Sequence, residues 1–168
     1  MRYWCFVTRP ANWQVCRAQR IFGFEYGYAK TLATFMDKGD KAVVYLTQKT
    51  GFVATVEISR KGRFDPELAR NTKWDRFYPY IAEIVVEREG FVPVSSTVSK
   101  GKDGVAVPIA TRNTILNDVE FITDSGAGSK GNARWNLFLY PSMMRIPELD
   151  YMVISRAIET QARGQLFA

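Results

Sequence analysis

The chain of 168 residues is 46% hydrophobic and 24% charged, which excludes an intrinsically disordered protein and predicts one domain over residues 1–168. It contains no histidine, and this excludes histidine-based catalytic triads, histidine general bases and the common zinc sites. A formal net charge of +6 and an aromatic content of 14% favour a polyanionic partner whose bases can stack on exposed rings.

The first half of the chain is predicted to contain strands, helices and one hairpin. Tyr3–Thr8 is an apolar run typical of a buried strand, and Pro10 opens a helix that runs to about Arg20. Next come a loop at Phe22–Tyr28, a short helix capped by Thr31 and closed by Lys38-Gly39, and a hairpin of Lys41–Thr47 with Phe52–Ser59.

The second half is predicted to begin with a basic, polar loop from Arg60 to Arg76. It continues with a strand at Tyr80–Arg88, a weaker edge strand around Pro93, a helix at 111–119, a glycine-rich loop at 124–134 and a C-terminal helix from Pro147 to about Arg163. Strands and helices alternate irregularly, with hairpins where a parallel sheet would need crossovers. This pattern predicts an α+β fold, a curved and mostly antiparallel sheet or open barrel with helices packed outside.

The stretch FGFEYGY (Phe22–Tyr28) places an aromatic residue at every second position. Two interpretations are open, one buried face of a strand or one side of a slot that stacks on a flat ligand. Gly23 and Gly27 are poor strand formers and suit a loop whose backbone approaches a ligand closely. We expect roughly half of the four rings to pack in the core.

Motifs for catalysis or metal binding are poorly supported. Gly126, Gly128 and Gly131 match GxGxxG by count but lack the preceding strand and following helix of a dinucleotide fold. No lysine has Asp or Glu two positions before it, so a common nuclease strand is missing. Cys5 and Cys16 have no metal-binding spacing and are interpreted as buried thiols. We therefore expect no enzyme, no metal and no cofactor.

Localisation is predicted from what the sequence lacks. No apolar run approaches the ~18 residues of a membrane span, and the first residues do not resemble a signal peptide. We expect a cytoplasmic protein with no membrane partner.

Six short signatures follow one another in a specific order. They are Asn12-Trp13, FGF at Phe22–Phe24, KTLATFMDKGDKAVVYL at Lys30–Leu46, RFYPY at Arg76–Tyr80, FIT at Phe121–Thr123 with Arg134-Trp135, and MMRIPELDY at Met143–Tyr151. Together they resemble the EVE domain in its prokaryotic stand-alone form, and the resemblance covers nearly the whole chain.

The resemblance implies a fold and a function. EVE domains belong to the PUA-like superfamily and are similar in fold to YTH readers of methylated adenine, which implies a curved β-barrel with flanking helices. It also implies a pocket that accepts a modified base from DNA or RNA, and no conserved catalytic centre. The chain departs from the family at Ala29-Lys30-Thr31, where a polar Arg-Asn or Asn-Thr stretch is common. An effector, such as a nuclease, is expected on a separate chain.

The candidate binding residues are chosen from the resemblance and from the chemistry of their side chains. Lys and Arg hold phosphates, aromatic rings stack on bases, and the Tyr45 hydroxyl could reach a base edge. Trp135, beside Arg134, is predicted either to stack on a base or to plug the end of the barrel. The full set is Trp13, Gly23, Phe24, Tyr28, Lys30, Thr31, Tyr45, Tyr80, Arg134 and Trp135.

The leading interpretation is a non-catalytic module that accepts an unpaired, modified base in an aromatic pocket. The first alternative is an accessory protein that binds tRNA or rRNA by shape and charge without reading a modification. An enzyme of RNA or nucleotide metabolism that uses carboxylates or tyrosine, and a small-molecule binder, are the other two.

Overall fold

The computed structural model describes residues 1–28, 31–32, 35–47, 51–93, 97–100, 106–109 and 143–166. The predicted helix at 111–119, the glycine-rich loop at 124–134 and the candidate residues Lys30, Arg134 and Trp135 lie outside these ranges.

The described part of the chain contains eight strands, three α-helices and one 3₁₀ turn. The strands are β1 (Tyr3–Thr8), β2 (Ile21–Phe24), β3 (Lys41–Leu46), β4 (Gly51–Phe64), β5 (Tyr80–Pro93), β6 (Thr97–Lys100), β7 (Ala106–Ile109) and β8 (Met143–Arg145). The helices are α1 (Pro10–Gln19), α2 (Pro66–Asn71) and α3 (Glu148–Leu166), and the 3₁₀ turn spans Tyr26–Tyr28. No helix in these ranges is both long and apolar enough to cross a membrane.

Six of the strands form one curled half-barrel in the order β2-β5-β4-β3-β1-β8. β1 pairs with β3 in parallel, and the other neighbours in this sheet are antiparallel. The long β4–β5 pair changes register at several points, and such bulges increase the local bend and twist of strands. The separate pair β6–β7 is antiparallel. The predicted curved, mostly antiparallel α+β fold is confirmed.

The sheet has a hydrophobic core on each face, because successive side chains of a strand point in opposite directions. The first core contains Trp4 and Phe6 of β1 and is covered by α1, whereas the second core contains Cys5 and Val7 and is covered by α3. Further members of the first core are Trp13, Cys16, Phe22, Phe24, Leu32, Met36 and Val44, and of the second core Tyr45, Phe52, Tyr151, Ile154 and Ile158.

The turn before β3 is held by one buried carboxylate. Asp40 accepts hydrogen bonds from the Trp4 indole at 3.1 Å, the Arg2 amide at 2.8 Å and the Asp37 amide at 3.1 Å. Gly39 has φ +89°, a conformation that glycine adopts without a Cβ clash. The pair Gly39-Asp40 is therefore a structural turn.

Three element boundaries differ from the sequence-based prediction. The predicted loop from Arg60 is wrong in its first part, because β4 continues to Phe64. It also misses α2, whose N-terminus is capped by the Asp65 carboxylate accepting the Leu68 amide at 3.0 Å. Pro93 ends β5 instead of lying in a separate edge strand.

The predicted loop at FGFEYGY is likewise wrong for its first half. Residues Ile21–Phe24 form β2, an edge strand paired with β5, and only the 3₁₀ turn at Tyr26–Tyr28 is irregular. Phe22 and Phe24 lie on one face and join Phe6 in a cluster with ring centroids 4.7–5.1 Å apart. This aromatic cluster contributes the buried surface that offsets the weak strand propensity of Gly23.

Candidate functional site

The structure brings several predicted site residues together around β2. Gly23 pairs with Ile81, and Phe24 pairs with Tyr80, in the antiparallel ladder between β2 and β5. Tyr28, in the following turn, and Tyr80 both pack partly buried against the first core. These positions therefore lie around one end of β2.

Two predicted residues are part of the core itself. Phe24 has no exposed surface, and Trp13 on α1 is also buried in the first core. Either ring would need the surrounding core to open before it could contact a base. Their assignment to a base-binding site stays a prediction.

Tyr45 lies apart from that group, whereas Thr31 follows Tyr28 closely in the chain. Thr31 is half-buried and its carbonyl accepts the Phe35 amide at 2.9 Å, at the start of the predicted short helix. Tyr45 belongs to the second core, on the opposite face of the sheet from Phe24. Burial raises the pKa of the Tyr45 hydroxyl well above its usual range, so it stays protonated. One pocket cannot be lined by Tyr45 and Phe24 together in this arrangement.

Three rings form an aromatic patch, defined here as Tyr26, Phe64 and Tyr80. The ring centroids are 5.9 Å apart for Tyr26 and Tyr80, 5.3 Å for Phe64 and Tyr80, and 6.3 Å for Tyr26 and Phe64. Tyr26 is 60% exposed and Phe64 is 53% exposed, although large aromatic side chains are usually buried. An exposed cluster of this kind is typical of a binding surface.

The strand register explains how the patch forms. Phe64 is the last residue of β4 and Tyr80 is the first residue of β5, and the two are direct partners in the ladder. Tyr80 is also the partner of Phe24, which places the turn containing Tyr26 beside it. The patch therefore occupies the end of the sheet where β2, β4 and β5 meet.

The sequence reasoning missed two of the three rings. Tyr26 stands within FGFEYGY, so the period-two alternation of aromatics was a signal for it. Phe64 carried no such signal, because its position in a predicted basic loop hid the fact that β4 extends to it.

Cations close to the patch are already paired with carboxylates. Arg63 donates to Glu83 at 2.9 Å and lies 3.3 Å from Asp65. Arg76 lies 4.0 Å from Glu25. The local surface at the patch is therefore aromatic in character and its charges are largely balanced.

The other face of β2 is covered by the segment after α2. A Cβ atom built on Gly23 would lie 2.7 Å from both the Trp74 ring and the Tyr78 Cβ, which shows how closely this segment approaches the strand. Trp74 and Tyr78 make an edge-on contact with centroids 5.6 Å apart. The absence of a side chain at Gly23 therefore allows the indole to lie directly on the backbone.

The Cys16 side chain lies close to both Trp74 and the backbone of Gly23. Burial raises the pKa of its thiol to about 12, against smaller opposing effects of the Trp74 indole N–H and the Gly23 amide beside the sulfur. The buried indole nitrogen forms no hydrogen bond of normal geometry within the described residues. Cys16 is neutral at physiological pH, and a thiol without thiolate character is unreactive.

A polar network joins this segment to the N-terminal turn of α1. The buried Asn12 amide donates to the Asp75 carboxylate at 2.6 Å and its oxygen accepts the Asp75 amide at 3.0 Å. Arg9 and Tyr78 donate to the same carboxylate at 2.9 Å and 3.1 Å. Three of these hydrogen bonds hold the segment from Trp74 to Tyr78 against the start of α1. The fourth, from Tyr78 to Asp75, lies within the segment and fixes its conformation.

Replacement of Gly23 by Ala tests the close approach of Trp74. We expect Gly23→Ala to lower the free energy of unfolding by about 1–2 kcal/mol, because the new methyl group must displace the indole. Gly27→Ala is the matched control, since a Cβ there has no neighbour within 4 Å. Chemical denaturation of both variants measures the difference, and equal stabilities would contradict the packing described.

The described residues contain no group of three or more His, Cys, Asp or Glu side chains that could hold a metal ion.

A curled, mostly antiparallel sheet with helices on both faces defines an α+β protein of the PUA-like fold. The EVE domain family model matches residues 2–157 of the chain. The chain therefore belongs to the EVE domain family.

Solved structures agree with this fold. A protein from Agrobacterium tumefaciens is similar with a TM-score of 0.52 at 15% identity, over 93% of this chain and 92% of that chain. A protein from Rhodopseudomonas palustris is similar with a TM-score of 0.53 at 14% identity, over 95% of this chain and 94% of that chain. At these identities the likeness shows the fold alone.

The predicted likeness to YTH readers is weaker. The YTH domain of Zygosaccharomyces rouxii MRB1, solved in complex with N6-methyladenosine RNA, has a TM-score of 0.46 at 14% identity, over 67% of this chain and 76% of that chain. In a comparison with curated protein sequences, nothing matches the chain.

Proposed function

We propose that this EVE domain protein binds nucleic acid without catalysing a reaction on it, and that an unpaired base stacks at the aromatic patch. The observation that carries the proposal is the exposure of Tyr26 and Phe64 beside Tyr80, at the end of the sheet where the predicted site residues Gly23 and Tyr28 also lie. Membership of the EVE family and the net charge of +6 support it.

Stacking suits the chemistry of the patch better than charge recognition. Each base that stacks on an aromatic side chain contributes about 1–3 kcal/mol and needs no particular hydrogen-bond pattern. The nearby cations Arg63 and Arg76 are already close to carboxylates and are poorly placed to supply the affinity. The patch is therefore proposed to hold a base, while phosphates are held elsewhere.

We further propose that the base is a modified one. A methyl group contributes only about 1 kcal/mol unless its pocket fits closely, so discrimination requires that the ring be enclosed on more than one side. Tyr28 is the proposed contributor beside the patch, and the proposal keeps the predicted residues Lys30, Thr31, Arg134 and Trp135 as further contacts to the nucleic acid. Trp13, Phe24 and Tyr45 are not included, because all three are buried.

The test uses fluorescence anisotropy with short single strands of DNA and RNA. Each strand carries one central base that is unmodified, 5-methylcytosine or N6-methyladenine. Tyr26→Ala is expected to weaken binding by about 1–2 kcal/mol, roughly 5- to 30-fold, because one stacking surface is lost. Its folding stability should change little, since the side chain is mostly exposed.

Phe91→Ala is the matched control. Phe91 is also a partly exposed ring, 39% accessible, but it lies 11 residues further along β5 than Tyr80, about 35 Å away for an extended strand. Unchanged affinity in this control and reduced affinity in Tyr26→Ala support the proposal. Equal affinity of wild type and Tyr26→Ala would remove the aromatic patch from the site.

The comparison among strands separates the proposal from its alternative. Tighter binding to one modified base supports modification reading. Equal affinity for all three bases, together with tighter binding to folded tRNA than to single strands, would support an accessory protein that recognises RNA by shape and charge.

A further inference from the structure

Helix α1 ends on an arginine in an unusual backbone conformation. Arg20 has φ 57° and ψ 40°, and its amide donates to the Cys16 carbonyl as the helix cap. Among the described residues it is the one non-glycine residue with positive φ. Glycine and asparagine are the residues that favour this position, because a Cβ is disfavoured there. Local backbone preference therefore does not explain why an arginine stands at this site.

Two further cations lie at the adjacent end of α2. The Thr72 hydroxyl donates to the Leu68 carbonyl at 2.7 Å and lies 3.4 Å from the Gln19 side-chain oxygen, a contact that brings the C-termini of α1 and α2 together. Arg70 is in the last turn of α2, and Lys73 follows Thr72. Arg20, Arg70 and Lys73 are all exposed, and we call them the basic cluster.

The basic cluster has no close carboxylate in the described part of the chain. No ion pair within 4.0 Å joins Arg20, Arg70 or Lys73 to an acidic side chain there. The acidic residues nearby in sequence are Glu67, which forms no ion pair with Arg70, and Asp75, which accepts from Arg9 and Asn12. Three positive charges near the C-termini of α1 and α2 therefore have no ion-pair partner within 4.0 Å among the described residues.

One member of the basic cluster is also held in place by an exposed ring. The Arg70 guanidinium lies 6.0 Å from the centroid of the Phe77 ring, which is itself exposed. A cation over an aromatic face loses freedom of motion before any ligand binds. Arg70 can therefore meet a phosphate at a lower entropic cost than a free arginine.

We propose that the basic cluster binds the phosphates of the same nucleic-acid strand whose base stacks at the aromatic patch. This inference rests on the proposed function. Arg20 directly precedes β2 and Tyr26 follows its end, so the two surfaces are about 13–20 Å apart along an extended chain, a distance that a few nucleotides span. The basic cluster supplies the positive charge that the aromatic patch lacks.

A purely structural role explains only part of these observations. Basic residues near a helix C-terminus interact favourably with the helix dipole, and this accounts for Arg70. The same interaction is open to Arg20 at the C-cap of α1, but the left-handed backbone at this position favours glycine over arginine. The two explanations predict opposite results for the same substitution.

The decisive variant is Arg20→Gly. A phosphate-binding role predicts that affinity for a single strand falls about three- to tenfold at physiological salt, while the melting temperature stays the same or rises. A dipole or packing role predicts a lower melting temperature with unchanged affinity, and that result would overturn the inference for Arg20.

A pair of double variants tests the rest of the basic cluster. Arg70→Gln with Lys73→Gln is compared with Arg145→Gln and Arg156→Gln, which remove the same charge from exposed positions on β8 and α3. Affinity falls as salt rises, so the slope of log affinity against log salt is negative. In the Arg70→Gln, Lys73→Gln variant alone, we expect this slope to become less steep by about 0.7 for each phosphate that the protein no longer binds. Equal slopes in the two variants would show a diffuse charge effect and overturn the inference.

The same titrations distinguish this inference from the proposed function. If Tyr26→Ala weakens binding and the variants of the basic cluster do not, base stacking stands and the basic cluster is excluded. If the basic cluster variants weaken binding and Tyr26→Ala does not, the aromatic patch is excluded. Absence of wild-type binding to every strand overturns both.

Discussion

Phe24→Ala is expected to lower the free energy of unfolding by about 3–5 kcal/mol. The Phe24 ring has no exposed surface and contacts Phe6 and Phe22 at centroid distances of 5.1 Å each. Its removal leaves a cavity bounded by these rings and by the backbone of β5, which the sheet cannot close by a local shift. The loss is a large fraction of the stability of a typical domain, and denaturant titration measures it.

The matched variant for Phe24 is Tyr26→Ala, two residues along the chain. It removes a ring of similar size from an exposed position, so its unfolding free energy should stay within about 0.5 kcal/mol of wild type. The pair therefore separates a core position from a surface position. A stable Phe24→Ala variant that has lost binding to single strands would show instead that Phe24 is a ligand contact, as the sequence predicts.

Asp75→Ala is expected to lower the free energy of unfolding by about 2–3 kcal/mol. The substitution removes the acceptor for the Asn12 amide, whose residue is only 4% exposed, and leaves the Arg9 guanidinium without its carboxylate. A buried donor left without an acceptor costs about 1–3 kcal/mol, and the lost charged pair adds to this. Asp75→Asn keeps an acceptor oxygen and should lose less.

The same carboxylate predicts a pH dependence. Burial alone would raise the pKa of Asp75, but hydrogen bonds from Asn12 and Tyr78 and the charge of Arg9 outweigh it, so the pKa is lowered. A lowered pKa contributes stability that is present above the unfolded value of about 3.9 and is lost as pH falls through the folded value. Melts of wild type and Asp75→Asn should therefore converge below about pH 4.

The difference in melting temperature between wild type and Asp75→Asn is more informative than either pH profile alone, because other carboxylates titrate in the same pH range. The pKa of Asp37 is lowered by hydrogen bonding and charge from Lys61, and that of Glu57 by Lys41. Both effects are common to wild type and variant and cancel in the comparison. A difference in melting temperature that stays constant from about pH 7 to about pH 3 would contradict an ionised Asp75 as the source of the stabilisation.

Strong local signals account for the parts of the fold that the sequence predicted. Tyr3–Thr8 is an uninterrupted apolar strand, and Pro10 and Pro147 mark the starts of α1 and α3 within one residue. The hairpin of β3 and β4 follows from two apolar runs separated by a polar turn. Each of these signals is complete within a few residues, so no knowledge of distant packing was needed.

Elements that depend on distant packing were not predictable in this way. The residues Arg60, Lys61 and Arg63 are basic, and this part of β4 forms strand because β5 lies alongside it. β2 contains Gly23, a poor strand former, and its stability comes from Phe6, Trp74 and Tyr78, which are remote in sequence. Tertiary contacts therefore outweigh local propensity in both places.

The sequence predicted a group of glycine and aromatic site residues, and Gly23, Tyr28 and Tyr80 do lie near one another around β2. Their role in binding stays a prediction. The sequence could not tell that Phe24 points into the core while Tyr26 remains exposed, because nothing in the alternating aromatics marks where β2 ends and the 3₁₀ turn begins. Tyr45 shows a different ambiguity, because β3 is buried on both faces and its sequence does not tell which core Tyr45 faces.

The pairing of β1 sets a constraint on how the chain folds during synthesis. β1 is made first, yet one of its neighbours is β3 and the other is β8, whose residues are the partners of Trp4, Cys5 and Phe6 from the far end of the chain. At about 5–20 residues per second, the interval between the synthesis of β1 and of β8 is roughly seven to thirty seconds. Contacts of such high sequence separation form slowly, so the edge of β1 that pairs with β8 stays unpaired during this interval. A ribosome that stalls before Met143 would expose an apolar strand edge, a surface on which other chains can pair and aggregate.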